Sequence, residues 1–382
     1  MLNMLEDIYS ISMEILRGIM IRYFFLLSFL FLSFLSKADD IKNPNVSVDQ
    51  LFAAKATRCL GNYLIDLPKQ FKATKDNSFQ YDYNQEIDIS TYQQDFTAFK
   101  QMLARREQEL KNTKPINKID GNFLKAIYSL SGSNVDKKQG IIFERMEHRL
   151  NPDVGRILEG YRWKDGVTFK IEMKAFNGSA SRYDEVRKKS PEIYNNNVPE
   201  KIALMRTLFE RMRVRDDFTI PNESGFCFTN GFMQGDDDRP KEITFIYRYE
   251  DRHDFYFRIT FNNYAGGYSL FDIPSFFFYV PGEGRKIYKG TRKSHNLHLE
   301  EIVLKVNDLN DENLDEFQKE GYKFNLGINM KEPDNKNPSL EVEMYYILPR
   351  DSSKAYSKKQ LMTIWREITN SIRIRESSFT NK

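Results

Sequence analysis

The chain has 382 residues, room for two domains of ordinary size, and its 30 phenylalanines and 21 tyrosines supply ample core material. A net charge of +3, with acids and bases interspersed, excludes the concentrated basic footprint of a nucleic-acid binder. A charge-dependent partner would have to find a local patch rather than a global field.

The N-terminus carries the first strong signal. Arg22 precedes an apolar run over 23–35, and Ser36-Lys37-Ala38 then places small residues at the −3 and −1 positions before Asp39 and Asp40. A basic start, a short apolar centre and a small-residue exit describe a secretory signal peptide, and the run is shorter than the roughly 20 residues a membrane span needs. We read 1–38 as that signal peptide, with 1–19 an upstream extension and Met20 the start; an N-terminal membrane anchor is the alternative. No cysteine follows the run, which argues against a lipid-anchored lipoprotein. Contact with the membrane is then transient, through the signal peptide alone.

Past 39–45, a polar stretch, the spacing predicts a short helix over 49–56 and then a strand, Thr57-Arg58-Cys59-Leu60-Gly61-Asn62-Tyr63-Leu64-Ile65-Asp66-Leu67-Pro68. Alternation predicts another strand over 87–92. Asp95 can cap a helix with Phe96, Phe99, Leu103 and Leu110 on one face and Arg105, Arg106, Glu107 and Glu109 exposed. Strands follow over 123–130, 141–150, 156–163 and 167–174, the last pair joined by an Asp165-Gly166 hairpin turn. Pro199 opens a helix over 200–212 that turns Ile202, Met205, Leu208, Phe209 and Met212 inward.

Pro221 and Asn222 punctuate a boundary over 216–223, dividing the mature chain into 39–217 and 218–382. The second part opens on Ser224-Gly225-Phe226-Cys227-Phe228-Thr229-Asn230-Gly231-Phe232-Met233, an echo of the first motif. An alternating hairpin over 243–261, an aromatic segment over 271–280, strands over 297–306, 322–330 and 340–348, a short helix over 311–319 and a last helix over 357–372 complete it. The closing helices align: Leu204, Met205, Leu208, Met212 and Val214 fall opposite Ile364, Trp365, Ile368, Ile372 and Ile374. In the same alignment Arg213 and Arg215 meet Arg373 and Arg375. The fold class this predicts is α+β, two similar domains, each a mainly antiparallel sheet packed with amphipathic helices.

Cys59 and Cys227 are the only cysteines. Export places them where a disulfide forms, and their matching positions favour one, with two buried free thiols as the alternative.

Catalytic constellations are thin. His295 and His298 stand on a segment that alternates like a strand, so they would project to opposite faces and not share a metal. Gly267-Tyr268-Ser269-Leu270-Phe271 lacks the final glycine of a nucleophile elbow. Asp236-Asp237-Asp238 has too few oxygen ligands for a calcium loop, and no phosphate-binding loop is present. No catalytic centre, metal site or cofactor is expected. One surface feature remains: Arg285, Lys286, Tyr288, Lys289 and Arg292 combine cations with an aromatic anchor in a candidate partner-contact loop, or form a solvated hairpin tip beside core aromatics.

The motif around Cys59 resembles the opening of the immunity proteins that neutralise phospholipase effectors of the type VI secretion system. The one around Cys227 resembles the start of that family's C-terminal domain. The resemblance covers roughly 54–375, and Asn62 departs from it where a basic residue is expected. It implies a two-domain periplasmic protein of a Gram-negative bacterium, made beside a toxic lipase, which it binds so as to block substrate access. The partner would be that cognate lipase, gripped by both domains, with Cys59, Gly61 and Tyr63 architectural rather than at the interface. An exported binding module for a lipid or other apolar ligand is the alternative, prompted by the aromatic second half. A hydrolase with an unrecognised site around Ser269 or His298 is a third.

Overall fold

The computed structural model describes residues 47–75, 77–130, 140–235, 237–250, 252–272, 284–307, 320–349, 351 and 355–379. The expected signal peptide, the expected helix over 311–319 and most of the aromatic segment 271–280 lie outside the described residues. Among those described, no helix is long and apolar enough to cross a membrane.

The first half runs α1 (Val48–Phe52), β1 (Lys55–Leu60), β2 (Tyr63–Pro68), β3 (Phe71–Ala73), β4 (Ser78–Tyr81), β5 (Ile87–Gln93), α2 (Phe96–Asn112), β6 (Leu124–Ser129), β7 (Gly140–Met146), β8 (Gly155–Lys164), β9 (Val167–Phe176), α3 (Asp184–Lys189), α4 (Pro191–Tyr194), α5 (Val198–Arg211) and β10 (Met212–Val214). The second runs β11 (Gly225–Phe228), β12 (Gly231–Gln234), β13 (Lys241–Tyr249), β14 (Phe255–Asn262), β15 (Gly284–Ser294), β16 (Leu297–Val306), β17 (Gly321–Ile328), β18 (Ser339–Ile347), α6 (Lys358–Thr369) and β19 (Arg373–Ile374).

Local chemistry accounts for the punctuation. Asp165 and Gly166 both take positive φ and close the β8–β9 hairpin, as an Asp-Gly turn requires. His295 and Asn296 do the same between β15 and β16, so His295 sits in a turn rather than on the alternating strand expected for it. Asp95 caps α2 by accepting the Ala98 N–H, and Ser357 with Gln360 forms a capping box on α6.

One large sheet has the order β15-β16-β17-β18-β14-β13-β4-β5-β9-β8-β7-β6, with β3 also on β13. Read outward from the β13–β4 seam, the two arms follow the same plan: β4, β5, β9, β8, β7, β6 on one side and β13, β14, β18, β17, β16, β15 on the other. The duplication read from the closing helices is therefore a duplication of topology. Each arm packs one face on its closing helix. Gly160 of β8, lacking a side chain, leaves the space that Met205 and Phe209 of α5 fill, and Phe324 of β17 meets Trp365 of α6.

The opening hairpins are exchanged. Strand β2, of the hairpin that opens the first half, pairs with β19, which closes the second; β12, of the hairpin that opens the second, pairs with β10, which closes the first. Hairpin β1–β2 accordingly seats on the second arm, where the Tyr63 hydroxyl donates to the Pro338 carbonyl at 2.6 Å. Hairpin β11–β12 seats on the first arm, with Phe226 and Phe228 against Phe79 at 5.7 and 5.0 Å between ring centres. A single apolar core runs through both arms.

Helix α2 buries the predicted face on the opposite side of the first arm. Arg106, expected to be exposed, instead turns in to grip Glu159 through two bonds of 2.7 Å, because Glu159 is fully buried and needs partners there. Arg145 at 3.0 Å and the Tyr161 hydroxyl complete its cage. Burial would raise the Glu159 carboxyl, but the hydrogen bonds from Arg106 and Tyr161 and the arginine charge outweigh it and hold the group at about 2.

Candidate functional site

Where the exchanged hairpins meet, the backbones of Gly61 and Cys227 bond reciprocally, N–H to carbonyl at 3.0 and 2.9 Å. Beside this bridge Cys59 and Cys227 form a disulfide with Cα atoms 5.7 Å apart, and both are fully buried. Gly61 has φ +59°, and a Cβ there would lie 2.4 Å from the Phe261 ring, so both conformation and space call for glycine.

Two buried arginines, paired in the helix alignment above, lace the junction. Arg215 donates to the carbonyls of Cys59, Phe228 and Gly231 at 3.2–3.4 Å, and Arg375 to those of Pro221 and Glu223 at 2.9 and 2.8 Å and to that of Gly225. Their own N–H groups reach equivalent carbonyls: Arg215 that of Asn230, and Arg375 that of Asn62. Burial, with the nearby Arg215 charge, lowers Arg375 to about 10. The motif residues thus build the frame of this junction.

The stretch expected as a contact loop is a strand. Residues 285–292 form part of β15, the outermost strand of the second arm, bonded to β16 along its length. Period-two geometry divides its side chains. Arg292 turns in and binds Glu301 at 3.0 Å, where Arg366 and the Trp365 indole N–H also converge on that buried carboxylate. Tyr288 packs on the core, and the Arg366 guanidinium lies 5.2 Å over its ring. Arg285, Lys286 and Lys289 are exposed, and Lys289 lies 4.5 Å from the Phe271 ring centre. The sequence mixture of cation and aromatic thus holds the edge of the sheet together with half its members.

Ser269, His298 and Glu300 line one pocket of about 560 Å³. The Ser269 hydroxyl accepts the Phe271 N–H at 2.9 Å, and the Glu300 carboxylate accepts the Leu270 N–H at 2.7 Å, so both serve to fix a turn. Among the described residues no three His, Cys, Asp or Glu side chains are grouped to hold a metal. Of the aromatic second half that suggested an apolar-ligand site, Tyr249, Phe255 and Phe257 pack edge-to-face on Phe71.

A cleft of about 840 Å³ opens beside the seam between the arms. It exists because the sheet splits. Among the described residues strand β3 pairs only with β13, and β4 meets β5 only at residues 87–89, so 90–93 pair with β9 alone. Exposed Lys69, Lys72 and Lys75 line the cleft together with exposed Tyr92 and Phe218. The Phe218 ring is held by the Arg58 guanidinium at 4.2 Å and by an N–H bond of 2.7 Å to Asp216. Arg58 itself pairs with Asp217 at 2.5 Å, an acid that also accepts the Tyr247 hydroxyl at 2.8 Å. The burial of Tyr247, together with Asp217 beside it, drives that phenol well above its ordinary range. The sequence does not mark this cleft as a site, although Arg58, Phe228, Thr229 and Asn230 of its lining belong to the two cysteine motifs; three lysines in seven residues are the further hint.

Comparison with known proteins gives two family matches in series. Residues 56–215 match the Tle cognate immunity protein 4 N-terminal domain, and 219–377 match the corresponding C-terminal domain. No curated protein sequence matches the chain. Among solved structures it is similar to the apo immunity protein TplEi of the type VI secretion system from Pseudomonas aeruginosa, at 19% identity and TM-score 0.63, covering 87% of this chain and 100% of that one. It is also similar to a chain of the Tle4–Tli4 complex, at 18% identity and TM-score 0.63, covering 85% and 99%. A third similar structure is TplEi complexed with an "L" peptide, at 17% identity and TM-score 0.58, with the same coverage.

Proposed function

The chain belongs to the Tle cognate immunity protein 4 family, and from that premise we propose that it binds a cognate type VI secreted phospholipase and blocks access to its active site. The observation that carries this reading is the match of both halves, in order, to the two domains of one immunity family. The solved Tle4–Tli4 complex, similar in fold, is consistent with a protein partner. The protein acts by binding and makes or breaks no bond itself. It is exported to the periplasm through the signal peptide over 1–38, and its mature chain works as an N-terminal immunity domain over 39–217 and a C-terminal one over 218–382. The buried disulfide supports that compartment, since such bonds persist where thiols are not kept reduced.

The test is to direct the lipase encoded beside this protein to the periplasm of a host cell, with and without it. Growth arrest by the lipase alone, relieved on co-expression, together with a complex that survives size-exclusion chromatography, is expected. Arrest that persists with the protein present would refute the reading.

A further inference from the structure

The split in the sheet is the surface that the fold leaves unexplained. A sheet ordinarily closes its interior edges by pairing, yet among the described residues 90–93 of β5 and the facing edge of β3 have no strand partner across the gap. Their neighbour loops are not slack. The chain between β3 and β4 is pinned to β13 where the Thr74 N–H bonds the Ile246 carbonyl at 2.9 Å and Asn77 accepts the Ile246 N–H at 2.7 Å. On the other wall the Thr91 hydroxyl donates to the Thr229 carbonyl at 3.0 Å. The gap is therefore held open by specific bonds.

The charge of its lining is net positive. Lys69, Lys72 and Lys75 are exposed and make no ion pair among the described residues, whereas the acids of the wall, Asp216 and Asp217, are already engaged by Thr219 and Arg58. Lysines beside an open edge also deter self-pairing. A guard of that kind has no need of aromatics, however, and Tyr92 and Phe218 stand 44% and 54% exposed here. Rigid exposed aromatics beside unpaired cations form the mixture that protein recognition uses.

We propose that this split accepts an extended, acidic segment of the partner, laid along the open edge of β5 at 90–93. Its carboxylates meet Lys69, Lys72 and Lys75, and an apolar side chain rests on Tyr92 and Phe218. Main-chain bonds to the edge give affinity and the side chains give specificity, as in other strand additions. This rests on the reading of the protein as a lipase-binding protein, and it names the part of that partner which is recognised.

The experiment measures binding of the lipase encoded beside this protein to the mature wild type, to K69E/K72E/K75E, to F218A, and to K286E/K289E, which reverses charge on the distant strand β15. The expected result is at least tenfold weaker binding for the triple reversal, with a flattened salt dependence. Binding several-fold weaker for F218A and unchanged for K286E/K289E is expected alongside, with all variants melting near the wild type. Hydrogen exchange should show the amides of 90–93 newly protected in the complex. Wild type and triple reversal binding equally well would overturn the inference while leaving the function standing; no complex with the wild type would overturn both. Two further outcomes also overturn it: capture of phosphatidylglycerol vesicles by the wild type but not by the reversal, and dimerisation of the wild type through this cleft.

Discussion

Removing the disulfide tests the exchanged architecture most directly. Cys59 and Cys227 are 168 residues apart in sequence, so the bond closes a long loop in the unfolded chain. On the chain-entropy model a loop of that size corresponds to about 5 kcal/mol, with about 2–4 kcal/mol typical of measured cases. The double variant C59S/C227S keeps the reciprocal Gly61–Cys227 backbone bonds and the Arg215 and Arg375 contacts, so it should still fold. Its melting temperature should fall by about 5–10 °C, given roughly 2 °C per kcal/mol for a chain of this size. Because each hairpin seats on the opposite arm, the loss should appear as one cooperative transition and not as early melting of one half. Calorimetry on the oxidised wild type and the variant reads both. Dithiothreitol should leave the native wild type unchanged until it unfolds, since both sulfurs are buried. A change in melting temperature within 1 °C, or two separated transitions, would refute the argument.

Residues 39–217 and 218–382 expressed apart should each fail to give a cooperative melt, because each lacks the hairpin that completes its core, while co-expression should restore a soluble complex; chromatography and circular dichroism decide it. The carboxyl of Glu159, held at about 2 against an ordinary 4.5, adds stability that is fully present above about 4.5 and lost as pH falls from there towards 2. E159Q should therefore cost about 3 kcal/mol at pH 7 and flatten the pH dependence of urea unfolding across that window, and an unchanged profile would count against the cage. G61A should destabilise by about 2–4 kcal/mol, since it forces a left-handed φ on alanine and drives its Cβ into Phe261. Urea titration monitored by tryptophan fluorescence would show this, with a midpoint equal to the wild type as the contrary result.

The sequence by itself determined most of the elements and their duplication, but the stretch 57–68, expected as one strand, turns at Gly61 into the hairpin β1–β2. Period-two runs such as 243–249 and 167–174 have only one way to bury their apolar side, and the three-four-seven spacing of Phe96, Phe99, Leu103 and Leu110 has only a helix; both are local rules that need no knowledge of neighbours. The two cysteine motifs, the matched closing helices and the family resemblance were legible for the same reason. What pairs with what was decided only in the tertiary structure. Whether β19 returns to its own half or crosses to β2, whether Arg106 stays in water or turns to a buried Glu159, and whether Arg292 of β15 stays in water or turns to Glu301 all depend on residues far away in sequence. The cleft is the plainest case. It arises where the chain between β3 and β4 leaves β5 to follow β13, and no local pattern records a strand that is absent.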